Sequence, residues 1–204
     1  MSFTGDNNDW VIKQKGNIVS VDKLGKVYQI TDNSVIKYTN EGKTITNYSI
    51  LNNGEITLID TKNPLQSLLF FKQQQEAIML DNMLGEANSI NFTDYFEWID
   101  LVCTSNRDNA LWLYNITNQE LLKTDINLNV ISKSSNLAQV LSLDLKPSQL
   151  MEVNETVYLF DEGNGLILFD IFGNYKKKIV LKNAEKIFIE NNLVYYLTNN
   201  SIHS

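Results

Sequence analysis

Five polar residues, each closing a similar apolar segment, are the first candidates for chemistry in this chain. Four are acidic and one is an amide, namely Asp22, Asp60, Asp100, Asn154 and Glu190. A ring of such hard oxygen ligands could hold Ca²⁺. Asp and Asn side chains also cap turns, where they accept hydrogen bonds from nearby backbone N–H groups. We favour the turn interpretation because it explains all five positions and tolerates the amide, and we expect no metal and no cofactor.

Other catalytic arrangements find little support among the residue types. A Ser-His-Asp or Cys-His site needs a base, and the only histidine is His203, the residue before the last one of the sequence. One histidine and the single Cys103 cannot form a closed zinc site. Carboxylate pairs for glycoside hydrolysis could be drawn from the acidic set, but they would require a cleft. We therefore expect that the protein is not an enzyme and has no catalytic residues.

The charge pattern argues against a nucleic-acid partner. The net charge is −7 and Arg107 is the only arginine, whereas binding to phosphates needs a clustered basic face. The one basic cluster is Lys176–Lys178, directly before the apolar Ile179–Leu181. This pattern is typical of a charged edge strand that resists aggregation, with a phosphate or membrane-surface patch as the alternative.

Targeting and membrane signals are weak. No apolar run is long enough to span a membrane, and the polar segment Met1–Asp9 lacks the basic and apolar regions of a signal peptide. We expect a protein that does not span the membrane. If it is exported, we expect its leader to be absent from this sequence.

The elements that position the five polar residues are short strands that repeat along the chain. The opening strands are Asn17–Asp22, Gly54–Asp60, Tyr95–Asp100, Gln149–Asn154 and Lys186–Glu190. The second strands are Val27–Ile30, Leu68–Phe71, Leu101–Cys103, Val157–Phe160 and Leu193–Leu197. Third strands that end in or next to an aromatic residue are Ser34–Tyr38, Ala110–Tyr114 and Gly165–Asp170. More polar fourth strands follow, as at Lys43–Ser49 and Tyr175–Leu181.

This repeat, spaced close to about 40 residues, is typical of propeller blades. We predict an all-β fold, a small β-propeller of about five four-stranded blades, as one domain over residues 1–204 with residues 1–9 flexible. The last blade is short, and Asp9–Lys13 could supply its outer strand and close the ring.

Two further expectations concern the decoration and the core. The longest spacing contains Ile131–Leu145, where Leu137, Val140 and Leu141 could form one face of a short helix. Cys103 and the recurring strand aromatics are expected in the core, with a stacking platform for a sugar or base as the alternative. These aromatics are Trp98, Trp112, Tyr114, Phe160 and Phe169.

Three segments, Thr61–Phe71, Asp108–Tyr114 and Asn164–Gly173, resemble a family of exported β-propeller proteins of Bacteroidota. One branch of that family includes the plug subunit that blocks the periplasmic mouth of the type 9 secretion translocon. The resemblance implies a periplasmic protein without catalytic residues, whose partner is a large outer-membrane β-barrel translocon.

We therefore expect a protein-interaction propeller that takes part in protein transport. The competing function is a small-ligand or glycan-binding propeller that uses its axial mouth. The candidate partner-contact residues lie in two connections and are Lys62, Asn63, Leu65, Leu137, Val140 and Leu141.

Overall fold

The computed structural model describes residues 18–31, 34–49, 54–190, 193–199 and 201–204. The chain folds as two compact units, Met1–Asn91 and Phe92–Ser204. All but one of the regular elements in this described part are β-strands.

Unit 1 contains two four-stranded sheets in which each strand pairs antiparallel with the next one along the chain. The first sheet consists of β1 (Ile18–Val21), β2 (Val27–Thr31), β3 (Ser34–Tyr38) and β4 (Thr44–Ser49). The second consists of β5 (Leu58–Asn63), β6 (Gln66–Phe71), β7 (Glu76–Asp81) and β8 (Glu86–Asn91).

Unit 2 repeats the same antiparallel order in three sheets. The first consists of β9 (Ile99–Thr104), β10 (Ala110–Asn115), β11 (Glu120–Asp125) and β12 (Val130–Lys133), followed by the helix α1 (Leu137–Leu141). The second consists of β13 (Gln149–Val153), β14 (Thr156–Asp161), β15 (Gly165–Phe169) and β16 (Tyr175–Ile179). The third has three strands among the described residues, β17 (Lys186–Glu190), β18 (Leu193–Thr198) and β19 (Ser201–His203).

Burial changes across each sheet as a propeller blade requires. Every residue of β10 and β15 is buried, whereas β12 and β16 are almost entirely exposed. Five consecutive antiparallel sheets, four of which have a more exposed outer strand, confirm the prediction of an all-β, small β-propeller fold. The segment expected to close the ring, Asp9–Lys13, lies outside the described residues, so closure remains a prediction.

The third blade differs from the sequence-based prediction. The residues Tyr95–Trp98 are not a strand, and Leu101–Cys103 belongs to the first strand β9 rather than to a second one. Ala110–Asn115 is consequently the second strand, not the third. The prediction was wrong because Asp100 was taken as the end of a strand. Asp100 is instead a buried residue within β9, and Asp60 likewise lies inside β5.

Each unit has its own apolar core. In unit 1 one cluster joins the two sheets through buried residues that include Tyr28, Val35, Leu69 and Phe71. In unit 2 a second cluster joins Phe160 and its neighbours to the last sheet. Burial of one such side chain stabilises the fold by about 1.5 to 3 kcal/mol, so these clusters fix how the sheets pack within each unit.

One turn recurs between the third and fourth strands of four blades. A polar side chain accepts hydrogen bonds from the backbone N–H groups two and four residues later, at Thr39, Asp81, Asp125 and Asp170. The third residue after it has a positive φ, between 62° and 83°. The four first residues recur every 42 to 45 residues, which makes this turn a clear signature of the repeat.

Candidate interaction surface

Asp22 caps the turn that follows β1. Its Oδ1 atom accepts hydrogen bonds from the backbone N–H groups of Leu24 and Lys26, both at 2.9 Å, and its Oδ2 atom accepts one from the Tyr28 hydroxyl at 3.1 Å. Asp22 as a whole residue is 5% exposed. Burial, followed by the charge and hydrogen bond of Asp22, raises the pKa of Tyr28 above its ordinary value. The turn interpretation is confirmed at this position.

The other members of the acidic set do not occupy equivalent places. Asp60 is buried within β5 and accepts a hydrogen bond from the backbone N–H of Lys62 at 3.2 Å. Asp100 is buried within β9, Asn154 follows β13 with a φ of 47°, and Glu190 ends β17 and is exposed. Among the described residues, no group of three or more acidic, histidine or cysteine side chains could hold a metal ion.

Unit 2 contains a buried polar connection between neighbouring sheets that the sequence did not reveal. Glu152 in β13 is 1% exposed, and its Oε2 atom accepts hydrogen bonds from Trp112 Nε1 at 2.7 Å and Ser105 Oγ at 2.8 Å. Asn106 contributes two more hydrogen bonds, one from its backbone N–H to Glu152 Oε1 and one from its amide to the Glu152 carbonyl. Because several donors satisfy the carboxyl group, this site holds two sheets together.

A buried lysine lies close to the Trp112 ring. Lys123 Nζ stands 5.5 Å from the indole ring and forms an ion pair with Asp108 at 2.8 Å. Burial works to raise the pKa of Asp108, but hydrogen bonds to Lys123 and Ser105 outweigh it and lower that pKa. The polar groups here are paired with one another, which is typical of a structural site.

The same lysine-on-aromatic arrangement occurs in unit 1. Lys37 pairs across the strands with Tyr28, and its Nζ lies 4.9 Å from the Tyr28 ring. In unit 2 Lys123 pairs with Trp112 in the matching strands. Burial lowers the pKa of Lys37. Lys37 Nζ also donates to the carbonyl of Asn82 at 2.9 Å, which joins the first sheet to the second.

Three large apolar side chains protrude from turns at one end of unit 1. Leu24 is 66% exposed in the turn between β1 and β2, Leu65 is 71% exposed between β5 and β6, and Met83 is 55% exposed between β7 and β8. In an antiparallel meander, the first and third turns lie at the same end of the sheet. Lys62 and Asn63 flank Leu65 at this end. We call these five residues the unit 1 turn surface.

Contacts between the two sheets of unit 1 fix the common orientation of these turns. Thr46 Oγ1, close to the start of β4, donates to the carbonyl of Met83 at 3.1 Å, and Lys37 reaches Asn82 in the same turn. Ser20 and Thr61 hydroxyls are 2.8 Å apart between the first strands of the two sheets. The turns of the two sheets therefore lie at the same end of unit 1.

The second predicted contact region, around α1, is less accessible. The helix is capped by Asn136, whose side chain accepts a hydrogen bond from the Gln139 backbone N–H. Leu137 is 1% exposed and packs in the core, Leu141 is half-buried, and Val140 is 55% exposed. Only Val140 of these three helix residues presents a largely open side chain to a partner.

The expected core residues are largely buried. Cys103, Trp112, Tyr114, Phe160 and Phe169 are 1% exposed or less, whereas Trp98 is half-buried. Burial, with a further contribution from Asp100, raises the pKa of Tyr114, whose hydroxyl has no hydrogen-bond partner in the described chain. The buried rings are not open to a stacking ligand. Within the described residues, no helix is long and apolar enough to cross a membrane.

Comparison with known proteins supports the fold and assigns no family. No protein-family model matches the chain, and no curated protein matches it. The chain is similar to a solved protein of unknown function from Bacteroides caccae, with 10% identity, a TM-score of 0.60, and coverage of 87% of this chain and 68% of that one.

Two further solved structures are similar. One is a catalytically inactive virginiamycin B lyase from Staphylococcus aureus with quinupristin, with 14% identity, a TM-score of 0.64, and coverage of 94% and 71% of the two chains. The other is the WD40 β-propeller domain of Doa1, with 10% identity, a TM-score of 0.64, and coverage of 90% and 60%. The chain spans 60% to 71% of the lengths of these three solved chains. At these identities the similarity shows the fold alone.

Proposed function

We propose that this chain is a non-catalytic protein-interaction propeller that binds a protein partner through the unit 1 turn surface. The observation that carries the proposal is the exposure of Leu24, Leu65 and Met83 at one end of the unit. Exposed apolar side chains at one end of a fold, with polar residues such as Lys62 beside them, are typical of the centre and rim of a protein interface.

The absence of catalysis is proposed from the polar residues themselves. Glu152, Asp22 and Lys123 are buried and held by hydrogen bonds or an ion pair within the fold. Such groups stabilise packing and turns rather than meeting a substrate. The single histidine, His203, is exposed and lies 3.2 Å from the Thr198 hydroxyl, where it serves the last hairpin.

The finer proposal concerns location and partner. The segments Thr61–Phe71, Asp108–Tyr114 and Asn164–Gly173 resemble exported propellers of Bacteroidota, and this resemblance supports a periplasmic protein that plugs a type 9 secretion translocon. Thr61–Phe71 contains Lys62, Asn63 and Leu65, so the resemblance includes part of the unit 1 turn surface.

Affinity purification of the tagged full-length protein from the envelope of its host tests this proposal. We expect stoichiometric recovery of a giant outer-membrane β-barrel. Recovery of the protein alone, together with saturable binding to a glycan array, would replace the proposal with a glycan-binding function at the axial mouth.

A further inference from the structure

The outer strand of the fourth blade carries an unusual concentration of positive charge. Lys176, Lys177 and Lys178 are consecutive in β16 and all are exposed. Residues 171–184 contain four lysines and no acidic residue, although the net charge of the protein is −7. None of these three lysines forms an ion pair with another described residue. The strand is therefore a local basic surface on an acidic protein.

Protection against aggregation does not explain why only this strand is basic. The other outer strands meet water in the same way, but β4 has no charged residue, β8 has only Glu86, and β12 has only Lys133. Charge is one of several ways to protect a sheet edge, and the other three described outer strands carry at most one charged residue each. The concentration of lysine on one edge of four points to a binding role.

The backbone of β16 offers a second element of recognition. Among the described residues, β16 is the last strand of its sheet and pairs only with β15, so its other edge presents backbone N–H and C=O groups that can pair with an added strand. Exposed apolar side chains flank the lysines, with Phe172 63%, Tyr175 42% and Val180 69% exposed. An extended polypeptide can use all three features together.

The geometry of the lysines favours an extended chain over a single phosphate group. Lys177 and Lys178 pair with Leu168 and Ile167, neighbouring residues of β15, so their side chains point to opposite faces of the sheet. Lys177 and Lys178 therefore do not converge on one anion, and Lys176 lies at the irregularity in this pairing, without a paired residue in β15. A strand that carries acidic side chains on both of its faces would meet lysines on both sides.

We propose that the free edge of β16 binds an acidic, extended peptide segment of a partner by strand addition. Backbone hydrogen bonds hold the segment, Lys176, Lys177 and Lys178 select acidic side chains, and Phe172 and Val180 contact apolar residues at its ends. This site is distinct from the unit 1 turn surface and does not depend on the function proposed for it.

The test is fluorescence anisotropy of a labelled peptide of about ten residues, rich in glutamate with valine at every third position, with the full-length protein. We expect saturable binding that weakens as salt rises, because charge contributes to it. The triple variant Lys176→Glu, Lys177→Glu, Lys178→Glu should weaken binding by about tenfold or more. The control variant Lys23→Glu, Lys43→Glu, Lys146→Glu makes the same change in net charge and should bind as the wild type does.

Two further measurements separate strand addition from attraction by charge. The same peptide with alternate backbone nitrogens methylated keeps its charges but cannot pair along one edge, and it should bind about tenfold less tightly or worse. The neutral variant Lys176→Thr, Lys177→Thr, Lys178→Thr suits an edge strand, so it should stay folded by circular dichroism and still lose binding.

Specific results would overturn the proposal. These are equal binding of the methylated peptide, unchanged binding by either lysine variant of β16, or recruitment of the protein to phosphatidylglycerol vesicles without any peptide binding. The experiment uses a defined peptide, so its failure would leave the unit 1 turn surface untouched. Substitution of Leu24, Leu65 and Met83 should abolish binding of the protein partner to the unit 1 turn surface. The same substitutions should leave binding of the acidic peptide to β16 intact.

Discussion

Trp112 and Glu152 are joined by a 2.7 Å hydrogen bond between two neighbouring sheets, and both side chains are buried. The indole N–H has to find an acceptor once the ring is removed from water, and the carboxyl group has to find donors. Ser105 supplies a second donor from the loop after β9. The pair therefore satisfies polar groups of two adjacent blades at the same point in the core.

Glu152→Ala should be among the most destabilising substitutions in the chain. It leaves the Trp112 and Ser105 donors buried without their acceptor, which costs about 3 to 5 kcal/mol. Glu152→Gln keeps one acceptor oxygen and should cost about 1 to 3 kcal/mol. Urea unfolding measures both changes, and equal stability of Glu152→Ala and the wild type would show that the connection is not structural.

Gly165→Ala should destabilise the fourth blade. Gly165 has a φ of 93°, and an added Cβ would collide with the carbonyl oxygen of Ile179. The strain and the clash together should cost about 1 to 3 kcal/mol. Gly163→Ala is the matched control, because its Cβ would lie 3.4 Å from the nearest atom, the Asp161 carboxylate. Thermal unfolding should separate the two variants, and similar melting temperatures would refute the explanation.

The raised pKa of Tyr48 predicts that the folded protein loses stability at alkaline pH. Burial and the hydrogen bond to Glu86 raise the pKa of Tyr48 to about 12, from an unfolded value of about 10. Its contribution is therefore complete below about pH 10 and is lost as the pH rises toward 12. Tyr48→Phe should make stability fall less steeply over this range in urea titrations, and an unchanged slope would contradict the assignment.

The lowered pKa values of two aspartates in the repeated turn predict that the folded protein also loses stability at acidic pH. The hydrogen bonds to Asn129 lower the pKa of Asp125; at Asp170 burial works against the shift, but hydrogen bonds to Asn174 still lower the pKa. Stability from these carboxylates is present above the unfolded value of about 3.9 and is lost as the pH falls below it. The double variant Asp125→Asn, Asp170→Asn should flatten this acid limb of a stability profile. A profile parallel to that of the wild type would show that the turns do not depend on charge.

The sequence predicted most strongly where turn chemistry and strand patterning agree. Blade one has the expected strands because Asp22 directly follows β1. Its carboxylate accepts hydrogen bonds from the backbone of the next turn, which ends the strand there. In blade three, Asp100 lies inside the buried strand β9, but its local sequence pattern is the same as that of a strand end. The predicted strand boundary at Asp100 was therefore wrong. The recurring turn at Thr39, Asp81, Asp125 and Asp170 marks the repeat more clearly than the acidic residues near the first strands do.

The residues of the proposed unit 1 turn surface could be predicted only in part. Lys62, Asn63 and Leu65 were expected from their connection, and the structure adds Leu24 and Met83 because packing of the two sheets in unit 1 places their turns at one end. Leu137 was expected to be accessible, but the face of a five-residue helix that meets the core cannot be read from its sequence. The contact between Glu152 and Trp112 depends on how two blades pack, which no local pattern encodes.

The central claim is that the unit 1 turn surface binds the protein partner, and a paired capture experiment tests it most directly. Leu24→Ser, Leu65→Ser, Met83→Ser removes the three apolar side chains. Val130→Ser, Ile131→Ser, Leu193→Ser is the control, with exposed fractions of 50%, 57% and 53% at other places. We predict that the first variant loses the partner recovered with the tagged wild type while the control retains it. Equal recovery of the partner with both variants would contradict the account.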